Sequence, residues 1–260
     1  MFDNCFFMKN TVAGQPQLTI CVSQQKVKKP YFEVIVRPKF NIKDAEGVFI
    51  MTDNFIKKSG GFALIAGGSL LFAWAILAQI LIPLKEAESN FIALVKDEQW
   101  IFVASIAFVG ILLIIFGLFF SYIFFRTKGG ILGFLGFTLA ITALIFQISL
   151  LTWEIFLYPV LANSPSVSHI FNDKTILNDP AVGFFLTLFS VVTFLGYILF
   201  GISIFRTNFF YKISGILMCL GPTLYIGSIF IPFLEAIGAA LFAVSLITMG
   251  YKLIKICNIE

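Results

Sequence analysis

Residues 130–153 read GILGFLGFTLAITALIFQISLLTW, an apolar run of 24 residues without a single charge. At 1.5 Å of rise per residue a helix of that length covers about 36 Å, more than the roughly 30 Å of hydrocarbon in a bilayer. The run is continuously apolar and does not alternate, so its backbone groups must be satisfied within their own segment. That is the signature of a membrane helix and not of a barrel strand. Outward from it, five further runs of similar character lie at about 60–83, 100–123, 181–204, 210–232 and 234–254. With 130–153 they predict an all-α membrane protein of six transmembrane helices. Composition agrees, with 59% hydrophobic and 12% charged residues and a mean hydropathy of +0.96. Soluble domains carry about twice that charge.

The connectors set an orientation. Lys57 and Lys58, Arg126 and Lys128, Arg206 and Lys212, and Lys252 and Lys255 fall at one end of the predicted spans. At the other end Glu86, Glu88, Asp97, Glu98, Asp173, Asp179 and Glu235 outnumber Lys85, Lys96 and Lys174. The positive-inside rule then puts both termini in the cytoplasm. Trp100, Trp153 and Tyr158 fall at the outer boundary, where amphipathic rings prefer to sit.

Motif order suggests a repeat. A cytoplasmic lysine followed by small residues opens spans one (Lys58-Ser59-Gly60-Gly61), three (Lys128-Gly129-Gly130) and five (Lys212-Ile213-Ser214-Gly215). Phe125-Arg126-Thr127 after span two recurs as Phe205-Arg206-Thr207 after span four, and Ile82-Pro83 after span one recurs as Ile231-Pro232 after span five. The pattern reads as three helical hairpins that all enter from the cytoplasm, a parallel repeat.

Residues 1–50 differ in kind, being polar and basic with two β-like runs at Leu18–Val22 and Tyr31–Val36. Met51-Thr52-Asp53-Asn54-Phe55-Ile56-Lys57-Lys58 reads as a natural beginning, and codons for Glu46-Gly47-Val48 can contain AGGAG, a ribosome-binding sequence. Residues 1–50 are therefore expected to be translated upstream sequence or an extension, with 51–260 as the membrane domain. The first fifty residues hold seven basic and four acidic residues of a chain whose net charge is +4. The basic balance is accordingly no nucleic-acid signal.

Chemistry is sparsely encoded. Four scattered cysteines without CxxC spacing and a lone His169 argue against metal, haem and Cys/His or Ser/His sites. HExxH, GxSxG and Walker motifs are missing, and no aspartate lies inside a span. The expectation is a protein that is no enzyme, with no catalytic residue, metal or cofactor. Small residues do form seams. Gly129, Gly133, Gly136, Ala140 and Ala143 fall on one stripe of span three, which Gln147 and Glu154 continue; Gly110, Gly117 and Ser121 align on span two, and Gly183, Thr187, Ser190, Tyr197 and Gly201 on span four. Pro222 is expected to kink span five. The candidate ligand site is an outer vestibule with Lys85, Glu154 and Glu235 at its rim, beside Tyr158, and Gln79, Gln147 and Tyr197 deeper.

Two roles follow. One is binding or transport of a small or lipidic molecule; the other is an interaction or sensory subunit whose seams serve a partner helix or a second copy in a homo-oligomer. Membrane lipids are the expected partners of both. Ser59-Gly60-Gly61-Phe62-Ala63-Leu64-Ile65-Ala66-Gly67-Gly68, Glu154-Ile155-Phe156-Leu157-Tyr158-Pro159 and Met249-Gly250-Tyr251 resemble segments of small, uncharacterised six-span bacterial membrane proteins of unknown function. The resemblance covers 51–260, implies a six-span fold in a bacterial inner (plasma) membrane, and carries no functional residues.

Overall fold

The computed structural model describes residues 19–20, 36–37, 42–82, 94–163, 179–228, 231 and 233–257. The chain divides into two units, Met1–Asn54 and Phe55–Glu260. In the first, β1 (Thr19–Ile20) and β2 (Val36–Arg37) pair antiparallel with Ile20 opposite Val36. The remainder of the two β-like runs lies outside the described residues.

The second unit is helical. α1 (Ile42–Leu81) enters it at Phe55 and is followed by α2 (Glu98–Thr152), a π turn (Trp153–Leu157), α3 (Tyr158–Ala162), α4 (Pro180–Thr207), α5 (Lys212–Gly227) and α6 (Phe233–Cys257). Four stretches are long and apolar enough to cross a membrane, namely Asp53–Leu81, Glu98–Ala162, Pro180–Thr207 and Phe233–Cys257, and Lys212–Gly227 is a shorter apolar helix. Aspartates begin two of them: the Asp97 carboxylate accepts from the Gln99 amide at 2.9 Å, and that of Asp179 from the Ala181 amide at 2.8 Å. These capped amides would otherwise be unpaired at a helix start.

α2 is a folded-back pair, not a rod. Gly130, inside it, has φ 56 and ψ −157, outside the helical region. In a straight helix Tyr122 and Phe137 would lie about 22 Å apart along the axis. Their rings instead stack with centroids 4.0 Å apart, and Phe119 meets Phe137 edge-on at 5.4 Å. α2 therefore has two antiparallel arms, 98–129 and 131–152, that reverse at Gly130, the residue at which span three is expected to begin. The next reversal at this end uses Asn208, with φ 54, between α4 and α5.

The backbone at Gly130 lies near a region that side chains disfavour strongly. Gly130→Ala is expected to lower stability by about 2 kcal/mol in an unfolding titration with sodium dodecyl sulfate, while Asn208→Gly changes it by less than about 0.5 kcal/mol. A Gly130→Ala protein as stable as the parent would show that this reversal is not built as described.

Small residues bring the helices together in a ring. A Cβ on Gly67 of α1 would lie 2.8 Å from the Gly110 carbonyl oxygen in the first arm of α2. Gly136 in the second arm lies against the Phe200 backbone of α4, and Gly196 of α4 against Leu139 and Ala140. Gly201 of α4 faces the Gly215 carbonyl of α5, Gly221 of α5 faces that of Gly238 in α6, and Gly250 of α6 faces that of Gly61, back on α1. Each pair lets backbones approach where lipid offers no hydrophobic drive, so the contact is dispersion at short range.

Most described hydroxyls bond to their own preceding turn, as Ser121 does to the Gly117 carbonyl at 2.7 Å. Three join helices instead. The Ser203 hydroxyl donates to the Gly129 carbonyl at 3.2 Å, Ser245 donates to the Ser214 carbonyl at 2.8 Å, and the Ser214 and Thr248 hydroxyls lie 2.8 Å apart. The exterior differs from that of a soluble bundle. Ser121, Ser203, Ser214 and Ser245 are buried, whereas Ile131, Phe184 and Phe62 are 74%, 71% and 62% exposed. Such an exterior fits hydrocarbon and not water.

Candidate binding cavity

The ring borders a partly open cavity of about 90 Å3. Every helical segment of the ring reaches it: Trp74, Ile111, Gln147, Tyr197, Tyr225 and Phe242 come respectively from α1, the two arms of α2, α4, α5 and α6. Three of them follow a contact glycine at helical spacing. Trp74 lies seven residues beyond Gly67, Tyr225 four beyond Gly221, and Phe242 four beyond Gly238, so the stripe that draws the helices together also aims these side chains inward. Pro222 lies inside α5 and also lines the space.

The walls are mostly apolar, with polar groups on Trp74, Gln147, Thr193, Tyr197 and Tyr225. Thr193 satisfies itself by donating to the Phe189 carbonyl at 2.7 Å. Tyr197 is 4% exposed and packs edge-on against Phe242 with ring centroids 4.8 Å apart. Its hydroxyl makes no hydrogen bond to a described residue.

One helical turn beyond the cavity stands a pair of carboxylates. Glu154 follows the lining residue Leu151 by three positions, and Glu235 precedes the lining residue Gly238 by three. They are close enough to repel one another, and both lie within electrostatic reach of Tyr225. Tyr158 lies near Glu154. The π turn carries Glu154, with the Tyr158 amide donating to the Trp153 carbonyl. Its cause is the next residue. Pro159 has no N–H for the Ile155 carbonyl and its ring presses on that group, so the turn before it widens.

Of the six candidate ligand residues, the structure brings Gln147 and Tyr197 together on the cavity wall and Glu154 and Glu235 together beyond it. Gln79 is exposed and does not line the cavity. Lys85, with His169 and Asp173, lies outside the described residues. Sequence reasoning missed Trp74, Thr193 and Tyr225; counting three, four or seven residues from each contact glycine reaches Trp74 and Tyr225. No family model matches the chain, and neither a curated protein nor a solved structure is similar to it.

Proposed function

We propose that the chain crosses the membrane six times, as three hairpins, and that the ring binds or passes a small or lipidic molecule through its central cavity without performing a reaction. The observation that carries this reading is the cavity itself, lined from all six segments, with two carboxylates three residues beyond its lining residues Leu151 and Gly238. Pockets of this kind, apolar with few polar groups, are what ligand sites look like between helices of a bundle.

Several features support the topology. Splitting α2 at Gly130 turns the four long stretches and the shorter α5 into six segments. Equivalent contacts recur in each hairpin, with Gly67 against Gly110, Gly196 against Ala140 and Gly221 against Gly238. At the basic end, Lys57 lies over Phe124, Lys128 over Phe209, Lys212 over Phe205 and Lys252 over Tyr211. Ammonium groups held on rings at one end and carboxylates at the other favour cytoplasmic termini.

A partner-binding or sensory subunit would need an unused glycine seam on the outside. Among the described glycines only Gly130 and Gly183 have open space at the Cβ position, so the seams serve the ring itself. That contrast favours the ligand reading.

Ala143 lines the cavity, and leucine there adds an isopropyl group to a space of about 90 Å3. Native mass spectrometry of protein extracted from its own membrane is expected to show a bound small molecule or lipid that Ala143→Leu loses while staying folded. If parent and variant carry the same species, or the folded parent carries none, the reading fails.

A further inference from the structure

The chemistry of the cavity narrows the ligand class. Five aromatic side chains line it, Trp74, Phe189, Tyr197, Tyr225 and Phe242, so the space has the composition of an aromatic cage. Ring faces carry negative quadrupole, so in a desolvated cage a cation held over one is attracted electrostatically. A neutral apolar guest draws no such benefit.

The second observation is independent of the rings. Glu154 and Glu235 come from different helices, lie one turn beyond the same end of the cavity, and repel each other. Neither forms an ion pair with a described residue. Two carboxylates close enough to repel one another are stabilised by a positive charge placed near both. The third is the Tyr197 hydroxyl, which belongs to a residue of the cavity wall and makes no hydrogen bond to a described residue.

We infer that the cavity binds a small organic cation, a substituted ammonium whose apolar groups fill the aromatic cage and whose charge lies toward Glu154 and Glu235. This rests on the small-molecule reading above and adds the charge and size of the guest. A hydroxyl on the ligand would pair with Tyr197 or Gln147. The cage walls exclude a hydrated inorganic ion, since they offer few oxygen atoms to replace its water.

Choline and its uncharged isostere 3,3-dimethyl-1-butanol have nearly the same shape and differ in charge, so the pair isolates the claim. Equilibrium dialysis of each against the full chain in dodecyl maltoside, at fixed ionic strength, gives the two affinities. Choline is expected to bind about tenfold or more tightly than the alcohol. The Glu154→Gln and Glu235→Gln double substitution is expected to weaken choline by about tenfold and leave the alcohol unchanged, with the thermal unfolding midpoint held as a check on folding. Equal binding of both compounds, unaffected by the double substitution, would overturn the cation inference and leave a small-molecule site standing. If neither binds the parent while Ala143→Leu still strips a native species, the inference fails alone; if neither binds and no species is retained, both readings fail.

Discussion

Gly136→Leu is expected to open the ring, lowering stability by about 3 kcal/mol or more when the protein is unfolded with sodium dodecyl sulfate in mixed micelles. A Cβ at Gly136 would press on backbone atoms of Phe200 and Leu199, and backbone inside a packed helix cannot swing aside as a flexible side chain can. The two helices would have to separate along the seam, losing dispersion contacts that no hydrophobic effect replaces in lipid. Gly183→Ala supplies the contrast. Nothing lies within 4 Å of the Cβ position there, so that substitution should change stability by less than about 0.5 kcal/mol or raise it slightly through helix propensity. Equal effects of the two changes would mean that the α2–α4 seam is not a close contact.

The second large effect is expected at Phe125. It is fully buried, meets Phe200 edge-on at 5.7 Å, and has the rings of Phe209 and Phe210 at 6.1 and 5.8 Å. Gly129 and Gly133 also lie against its ring, so this one side chain ties both arms of α2 to α4 and to the connector before α5. Phe125→Ala should cost about 3 kcal/mol, chiefly through the void it leaves, because the unfolded chain also sits in an apolar medium. Phe184, 71% exposed on α4, is the matched control. Its replacement by alanine should fall within about 0.5 kcal/mol of the parent. Similar losses at both positions would contradict the assignment of inside and outside.

The helices themselves were legible because lipid-crossing segments must be long, apolar and internally bonded, and four stretches of the chain satisfy this, with Lys212–Gly227 apolar but shorter. Their ends were harder to read. Hydropathy places the first span from residue 60, yet α1 begins at Ile42, since lysines such as Lys57 and Lys58 lower hydropathy without opposing helix formation. Span three was expected to stop at Trp153, but the chain turns on through the π segment to Ala162 because Pro159 widens the helix instead of ending it. α5 ends at Gly227, earlier than the expected 232.

The stripes show the same division. Gly133, Gly136, Ala140 and Ala143 face neighbours as their spacing implies. The stripe on α4 holds only in part. Tyr197 and Gly201 are buried, but Thr187 is exposed and bonds its own Gly183 carbonyl at 2.8 Å, so it needs no partner helix. Gln147 and Tyr197 could be named from periodicity because polar groups on an inward stripe are scarce. Trp74 and Tyr225 also lie at helical spacing from contact glycines, but spacing alone does not single them out in a chain with 33 phenylalanines. Their meaning comes only from the closing of the ring, which is a property of all six segments together.

The most direct test of the account is the side of the membrane on which each reversal lies. Single cysteines placed at Lys128, Asn208, Asp97 and Asp179 in a protein lacking its four native cysteines can be labelled in sealed vesicles with a membrane-impermeant maleimide. The account predicts that Lys128 and Asn208 react from the cytoplasmic side and Asp97 and Asp179 from the opposite side. Reaction of Lys128 and Asp97 from the same side would show that residues 98–129 do not cross, and the ring with its cavity would be wrong.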